Sequence, residues 1–563
     1  MIVGRPPRPL SRRLPAVPTL ALWLFLALVL TACAGASNGV PDDASSAGDA
    51  SVKGGTMTLA YFTQPSSLDP AVARNAIDWQ IEHAIYQGFL RYAAAPGPAG
   101  IKLEPCLATE VPTVANGGIS ADGTTYTFRL RDDVSFQPPV SRKVTAADFK
   151  YSFERMIKTP RAPAAPCYKG IVGAKAFMAG EAKSVRGFKA VDDATVQIKL
   201  RAPDLSFLNA LSMECCDVVP REWVEKWGKE FGRHPLGTGP FVFRKWVPGR
   251  EIVLDRNPNY WEPGRPYLDA IDCQLSLSPS TAIRKLQRGE IDVLDDDVPA
   301  ADLLRMMADP EWKNQVYSQP LVATSYLFMN VQMKPFANAN VRRALSWAIN
   351  RDKLVKLQPG QAIALWQFYP EGLPGHVEGK VFYGYDPAKA RGLLAAAGYP
   401  NGFKTTLYTD NVDPNPMLWQ SVQADLAAVG VKANLRTTSE RAYSNQQSMP
   451  RTLTAGSCTW RMEYPDPSDW IGPLFSKASA VPGGMNSSFW WSPKLERMYA
   501  RAQRMTDPAR RIALYSRMQR VIAEQAPCVP VYQPTQTTVC SKGLGGFYLH
   551  PVYQIDPAHY WKN

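Results

Sequence analysis

The chain has 563 residues, 45% of them hydrophobic and 20% charged, and it carries a formal net charge of +13. This apolar fraction excludes a wholly disordered chain, because there is ample surface to bury in a core. Nine cysteines are too few for a disulfide scaffold, and no apolar run reaches the roughly 18 residues of a membrane-spanning helix. The composition is that of a large, basic, folded protein.

The N-terminus has the anatomy of an export signal. Residues 1–19 contain four arginines and no acid, and the apolar run LALWLFLALVL follows before Thr31-Ala32-Cys33. This ending resembles the bacterial lipobox, which predicts a lipoprotein signal peptide at 1–32 and diacylation of the Cys33 thiol. The pair Arg12-Arg13 leaves twin-arginine export open beside ordinary secretion.

The segment that follows the signal is small, polar and aperiodic. Residues 33–54 therefore read as a flexible tether with an r.m.s. reach of about 25 Å. Acyl chains on Cys33 would hold the protein at the outer face of the cytoplasmic membrane, which is the periplasmic side in an organism with an outer membrane.

Strands and helices alternate along the rest of the chain, which favours a mixed α/β fold. Alternation of apolar side chains predicts strands over 56–61, 126–130, 196–200 and 431–437, and a β-hairpin that ends at Arg256. Helical spacing with capping residues predicts helices over 338–357, 386–398, 418–429 and 508–526, and one that opens at Pro493.

Eight sequence blocks support a resemblance to a known family. The segment GTGPFVFRKWVPGREIVLDRNPNYW (237–261) closely resembles the hallmark segment of the family-five extracellular solute-binding proteins, which are oligopeptide and dipeptide receptors of ABC importers. Seven further blocks agree in the same order: SSLDP (66–70), DGTTYTFRLRDDVSF (122–136), VTAADFKYSFERM (144–156), RGEIDV (288–293), NVRRALSWAINRDKLV (340–355), YDPAKARGLLAAAGYPNGF (385–403) and EYPDPSDW (463–470).

The resemblance implies an α/β fold of the two-lobed, class II periplasmic-binding-protein type. Lobe 1 would comprise 55–320 plus 537–563, with an extra small subdomain at about 95–190. Lobe 2 would comprise 321–536, with hinges near Val322 and Pro534. Members close their two lobes around a ligand, and the closed state is what an importer recognises.

The loop that contains Glu463 is the sharpest ligand-site prediction. In peptide-binding members, an aspartate at the position of Glu463 takes the α-ammonium group of the ligand, and a tryptophan can stand at the position of Trp460. Glu463 is one methylene longer, so it either reaches the amine in a shifted register or marks a different substrate. The simpler alternatives are that Glu463 is a solvated loop carboxylate and that Trp460 packs in the core.

Two further aromatic residues are predicted to contact ligand by the same resemblance. Tyr326 aligns with a cleft-facing aromatic residue of some relatives. The segment 360–375 occupies the place of a cleft-lining loop, in which Trp366 would suit ligand side chains, although a tryptophan more often packs in a core.

The function that the resemblance implies is capture of a peptide and its delivery to the permease subunits of an ABC importer, by a monomer without a cofactor. A non-peptide solute such as a metal chelate, sugar or opine is the open alternative. An enzyme is disfavoured, because no nucleophile elbow, zinc-protease or phosphate-loop motif occurs. The five histidines do not pair at metal-ligand spacing, so no metal site is expected.

The positive charge first suggests a nucleic-acid partner, but its distribution does not. Basic residues are scattered among acids, and four of the thirteen excess positive charges lie in the signal, which leaves about +9. We therefore expect no nucleic-acid partner.

The remaining eight cysteines would meet an oxidising compartment. Cys106 and Cys167 fall in the predicted subdomain and are the hypothesised disulfide pair. Cys528 and Cys540 look like a hairpin clip, but the crossing strand of the family would separate them by about 40 Å, too far to bond.

Overall fold

The computed structural model describes residues 54–160, 162, 164–295 and 298–563. The predicted signal peptide, Cys33 and the tether up to residue 53 lie outside the described residues, as do Asp296 and Asp297. Within the described ranges, none of the helices combines the length and apolar character that a membrane span requires.

The strands, in chain order, are Thr56–Ala60 (β1), Leu90–Tyr92 (β2), Leu103–Pro105 (β3), Thr125–Arg129 (β4), Phe188–Asp192 (β5), Thr195–Lys199 (β6), Phe241–Val247 (β7), Glu251–Arg256 (β8), Ala270–Gln274 (β9), Val293–Leu294 (β10), Val316–Pro320 (β11), Ala323–Met329 (β12), Ala362–Ala364 (β13), Phe403–Asp410 (β14), Val431–Thr438 (β15), Ala455–Arg461 (β16), Cys528–Val539 (β17), Leu544–Gly545 (β18) and Trp561–Lys562 (β19).

The α-helices are Ala76–Ile85 (α1), Ala146–Lys158 (α2), Ala174–Met178 (α3), Phe207–Leu211 (α4), Arg221–Trp227 (α5), Pro279–Gln287 (α6), Ala300–Ala308 (α7), Ala339–Ala348 (α8), Arg351–Lys356 (α9), Pro387–Ala396 (α10), Asn415–Ala427 (α11), Glu440–Gln447 (α12), Ser468–Phe475 (α13), Pro493–Gln503 (α14) and Pro508–Gln525 (α15).

Two large sheets organise the molecule. The first has the strand order β10-β1-β9-β8-β7, with β1 parallel to both of its neighbours and the predicted hairpin β7–β8 at one edge. The second has the order β11-β17-β12-β16-β14-β15, and β13 also pairs with β17. The two sheets are covered by separate buried apolar clusters, with one cluster on each face of the second sheet, which accounts for a fold with two lobes.

Strand β12 lies in the middle of the second sheet and is buried on both faces. Because successive side chains of a strand point to opposite faces, Leu327 and Met329 pack into one cluster, whereas Tyr326 and Phe328 pack into the other. The aliphatic and aromatic run of this strand is thus explained by two-sided burial.

The long strand β17 pairs with different partners along its length. Its first half pairs with β12, and its second half, from Thr535 to Val539, pairs with β11. Beyond its end, Cys540 bridges to Val293 of the first sheet. The chain therefore passes between the two sheets in two places. One crossing is β17, and the other is β11 together with Leu321, which follows it. These are the segments in which hinges are predicted, and the lobe boundaries at 320/321 and 536/537 stay predictions.

A smaller three-stranded sheet, β4-β6-β5, lies within the predicted subdomain range and its flank. Helix α2 packs on it through Phe149, whose ring stacks on Phe89 at 4.0 Å between ring centroids, and Phe89 stacks on Phe128 of β4 at 4.4 Å. This aromatic stack belongs to a further buried apolar cluster, the subdomain cluster, whose members lie within residues 71–236.

Helices with strong local caps form where the sequence predicts them. Asp386 accepts a hydrogen bond from the Lys389 amide at 2.8 Å at the start of α10, and Asp507 accepts one from the Arg510 amide at 3.0 Å at the start of α15. In both helices proline occupies the first helical position.

The single helix predicted over 338–357 is wrong, because the structure divides it into α8 and α9. Asn350 interrupts the helix and caps α9 by accepting a hydrogen bond from the Lys353 amide at 3.1 Å. The Arg351 side chain then enters the interior, where its Nε donates to the carbonyl oxygens of Pro530 and Leu365. The helix therefore breaks at Asn350, one residue before the guanidinium that enters the interior.

The hypothesised Cys106–Cys167 disulfide does not form. Both cysteines are free: Cys106 is buried in the subdomain cluster, whereas Cys167 is exposed. Cys528 and Cys540 are also free and lie at the start and just past the end of β17. A continuous strand therefore separates them, as the resemblance implied, and no hairpin brings their sulfur atoms together.

Candidate functional site

A cavity of about 140 Å³ lies between elements of the two predicted lobes. Helix α1, a 3-10 turn at Glu214–Cys216 and the C-terminal segment form one side, and the residues before β12 and after β16 form the other. The lining residues are Ala73, Ala76, Trp79, Gln80, Ala164, Met213, Glu214, Cys215, Leu321, Val322, Arg461, Met462, Glu463, Pro551, Val552, Tyr553 and Gln554.

Glu463 is placed in this cavity by the loop that joins β16 to α13. The backbone N–H of Glu463 donates to Oδ2 of Asp469 at 2.8 Å, which fixes the start of the loop. At its far end, Asp466 accepts from the amide and hydroxyl of Ser468 and pairs with Arg511. The two aspartates of the EYPDPSDW block thus hold the loop, and Glu463 is the acid that remains open to the cavity.

The cavity carries charges of both signs. Glu463 and Arg461 come from the side of the second sheet, and Glu214 comes from the opposite side. Glu463 is exposed at the cavity, and partial desolvation by the surrounding protein raises the pKa of its carboxyl. Desolvation also raises the pKa of Glu214, and the charge of Glu463 adds to that shift.

Trp460 lies beside the cavity rather than in its wall. Its side chain is half-buried against the apolar cluster on one face of the second sheet, and its Nε1 donates to Oδ2 of Asp469 at 3.4 Å. The same Asp469 oxygen accepts from the Glu463 amide, so Trp460 helps to hold the carboxylate that positions Glu463.

Tyr326 and Trp366 lie outside the cavity. Tyr326 is 4% exposed and its ring packs edge-on against Phe368 at 5.4 Å between ring centroids. Trp366 lines a separate surface depression beside His376, and the Arg351 guanidinium lies 5.0 Å from its ring centroid. The structure therefore brings only Glu463 of the four predicted ligand contacts into the cavity wall. The ligand roles of all four stay predictions.

Several residues that line the cavity were not predicted as site residues from the sequence. Glu214 precedes the adjacent pair Cys215-Cys216, which carries no redox motif, and Gln80 and Trp79 lie within an ordinary amphipathic helix. Tyr553 lies in an irregular segment near the C-terminus. No local pattern marks these residues, because only tertiary contact brings them to one place.

Comparison with known proteins gives a consistent result. The family model of bacterial extracellular solute-binding proteins, family 5, matches residues 102–481. The chain is 30% identical over 505 residues to the glutathione-binding protein GsiB of Shigella dysenteriae serotype 1, covering 88% of this chain and 92% of that protein.

Solved structures agree with this match. The chain resembles DppA of Helicobacter pylori in complex with the peptide STSA, with a TM-score of 0.73 and 28% identity over 91% of this chain and 98% of that one. It also resembles the murein tripeptide-binding protein MppA of Escherichia coli, with a TM-score of 0.72 and 25% identity over 90% and 98% of the two chains.

These matches confirm the predicted family and the two-lobed α/β fold class. They also confirm that the protein is a substrate-binding component rather than an enzyme, since the family consists of substrate-binding proteins of ABC transporters. The chain belongs to the bacterial extracellular solute-binding proteins of family 5, which serve ABC importers.

Proposed function

We propose that this protein is a lipid-anchored receptor that captures peptides between two closing lobes and delivers them to an ABC import permease. The lobes would comprise 55–320 plus 537–563 and 321–536, with Cys33 as the site of acylation. The observation that carries the proposal is that Glu463 opens into a cavity whose walls come from both predicted lobes.

The chemistry of that cavity suits a peptide terminus. An ammonium group that leaves water needs an anionic acceptor, and a charge-assisted hydrogen bond contributes about 1.5–3 kcal/mol net. Glu463 offers such an acceptor in this cavity. The relatives named for peptides and for glutathione make this class of ligand the first to test.

The location of the receptor follows from its N-terminus. Acylated Cys33 and the tether over 33–54 would keep the folded part within about 25 Å of the outer face of the cytoplasmic membrane. Such a tether favours encounter with a permease in the same membrane, because it raises the local concentration of receptor.

Two measurements test peptide capture. Native mass spectrometry of the protein as purified should show a retained mass that fragments as a peptide. Thermal unfolding should then show stabilisation by Ala-Ala-Ala and weaker stabilisation by its N-acetylated form. Equal stabilisation by both would contradict the ammonium role of Glu463. A retained sugar, opine or metal chelate, with no effect of peptides, would contradict peptide capture itself.

A further inference from the structure

We propose that the exposed sides of helices α14 and α15 form a basic surface that binds the anionic phospholipid headgroups of a membrane. This surface is separate from the cavity, since none of the residues that line the cavity belongs to either helix. The inference therefore goes beyond peptide capture and concerns how the folded part of the receptor contacts the membrane.

The charge of these two helices is strongly unbalanced. Residues 493–525 contain eight basic and three acidic residues. Their excess of five positive charges is more than half of the net charge of about +9 that the chain carries beyond the signal. The positive charge of the protein is therefore concentrated here rather than spread evenly.

Seven of the eight basic side chains are exposed, and we call them the basic face. The eighth, Arg511, is buried in its pair with Asp466. Residues three and four positions apart lie on the same side of a helix, and the basic face follows this spacing on both helices. Its members are Lys494, Arg497, Arg501, Arg504, Arg510, Arg517 and Arg520.

The two helices present their cations in the same direction. Leu495 and Ala502 of α14 and Leu514, Tyr515 and Met518 of α15 pack into one buried apolar cluster, so the opposite sides of both helices point to solvent. Helix α15 has 18 residues and is about 27 Å long, and packed helices lie about 8–10 Å apart. The basic face is thus an extended surface, which suits an extended partner better than a small anion.

Acidic side chains of the protein neutralise little of this charge. In the part of the chain that the structure describes, Arg510 is the one member of the basic face with an ion pair, to the exposed Asp507 at 3.4 Å. Glu496 instead accepts a hydrogen bond from the Lys477 amide at 2.8 Å. Like charges four residues apart, such as Arg497 and Arg501, are unfavourable within a helix, and an anionic partner would offset this repulsion.

The electrostatics of helix ends explain only part of this arrangement. Arg501 and Arg504 lie at the C-terminal end of α14, where cations interact favourably with the free carbonyl groups. Arg510 lies in the first turn of α15, where the helix dipole disfavours a cation, and Arg517 and Arg520 lie away from both ends. What the basic face has in common is exposure on one surface, not a role in capping.

An anionic membrane surface is the partner that fits the basic face best. None of the exposed large apolar residues among the described ranges belongs to α14 or α15, so the contact would be electrostatic and would not insert into the acyl region. The predicted tether joins the folded part at β1 of the first sheet, whereas the basic face covers the second sheet. Contact through this face would therefore give the receptor a second attachment to the same membrane.

Vesicle sedimentation tests the proposal with the full chain carrying Cys33→Ser, so that acyl chains do not contribute to binding. The protein should bind phosphatidylcholine vesicles that contain about one third phosphatidylglycerol, and it should not bind vesicles of phosphatidylcholine alone. Binding should be lost at about 1 M salt, where the screening length falls to about 3 Å. These comparisons leave the basic face unaltered and so do not depend on the folding of a variant of it.

A charge-matched pair of variants then locates the contact. The face variant combines Arg497→Gln, Arg501→Gln, Arg517→Gln and Arg520→Gln. The control variant removes four exposed arginines outside the face that also have no ion pair among the described residues, namely Arg129→Gln, Arg186→Gln, Arg436→Gln and Arg441→Gln.

The two variants have the same net charge and differ in where it lies. Each basic residue at an anionic surface strengthens binding about fivefold, so the face variant should bind at least about 100-fold more weakly than the parent chain. The control variant should bind within about fivefold of the parent, because its removed charges lie away from the contact and are screened. Circular dichroism and the thermal midpoint establish that both variants are folded.

Three results would overturn the proposal. Equal weakening by the two variants would show that overall charge, rather than this face, holds the protein at the vesicles. Absence of binding to the anionic vesicles by the parent chain would exclude a lipid contact. Binding to native membranes that is lost when their proteins are digested, without binding to lipid vesicles, would assign the face to a membrane protein instead.

Discussion

Asp466 and Arg511 form a buried bidentate ion pair. Arg511 Nη1 lies 2.6 Å from Oδ2 of Asp466, and Nη2 lies 2.8 Å from Oδ1, with side-chain exposures of 3% and 8% for Arg511 and Asp466. Burial alone would lower the pKa of Arg511, but the hydrogen bonds with Asp466 outweigh it and raise the pKa. The pair ties the loop that carries Glu463 to helix α15.

Removal of one partner of this pair should be strongly destabilising. We expect Arg511→Ala to lower the free energy of unfolding by about 3–5 kcal/mol, because it leaves the buried Asp466 carboxylate without its cationic partner. The neighbouring Arg510 is exposed and lies 3.4 Å from Asp507, so Arg510→Ala should change the free energy of unfolding by less than about 1 kcal/mol. Urea unfolding monitored by tryptophan fluorescence measures both, and equal effects would contradict the assigned role.

The burial of strand β12 leads to a second prediction about stability. Leu327 is 0% exposed between the clusters that cover the second sheet, so Leu327→Ala should cost about 2–5 kcal/mol through the cavity it leaves. Leu304 of α7 is 48% exposed, and Leu304→Ala should change stability by less than about 0.5 kcal/mol. Similar midpoints of urea unfolding for the two variants would show that β12 is not the centre of a packed sheet.

The pKa shifts in the cavity predict how stability depends on pH. Desolvation raises the pKa of Glu463, and desolvation followed by the charge of Glu463 raises that of Glu214. A carboxyl whose pKa is raised in the folded state destabilises that state above the raised pKa, and this effect disappears as pH falls towards the ordinary value of about 4.3. Glu214→Gln should therefore melt above wild type at about pH 8, with the difference shrinking on acidification.

Several titratable groups lie close enough to Glu214 for their charges to interact with it. In the part of the chain that the structure describes, they include Glu82, His83, Tyr92, Cys215, Asp217, Glu463 and Tyr553. All of these remain in the variant, so the difference between the two melting curves reports the carboxyl of Glu214. A difference that grows on acidification would contradict the assigned direction.

Lipid anchoring is predicted to depend on the thiol of Cys33. If Cys33 is acylated, Cys33→Ser should move the protein from the membrane fraction to the soluble fraction of the cell envelope, because the acyl chains supply most of the membrane affinity. Cys167→Ser is the matched control and should remain in the membrane fraction. Mass spectrometry of the N-terminal peptide should show a diacylglycerol adduct on Cys33. An unmodified peptide that begins before Cys33 would contradict the anchor.

Local chemistry accounts for the parts of the fold that were predicted correctly. The caps Asp386 and Asp507 each precede a proline, and this arrangement starts a helix whatever surrounds it. The division between α8 and α9 could not be predicted in this way. The break occurs next to Arg351, whose side chain donates to the Pro530 carbonyl, a contact between segments far apart in the chain.

The candidate site also combines residues that the sequence predicts with residues that only tertiary contact brings together. Glu463 was found because it lies in a block that resembles a known family, whereas Glu214 shares the cavity only through folding. Tyr326 shows that resemblance to a family does not by itself predict the direction in which a side chain points. It lies on the face of β12 that packs against Phe368, and a strand offers each residue one face only.

A crystal structure of the receptor with its retained ligand, or with Ala-Ala-Ala, tests the central claim most directly. The account predicts closed lobes and a ligand amine nitrogen about 3 Å from the carboxylate of Glu463. A ligand that presents a carboxylate or an apolar group to Glu463, or that binds away from this cavity, would contradict it.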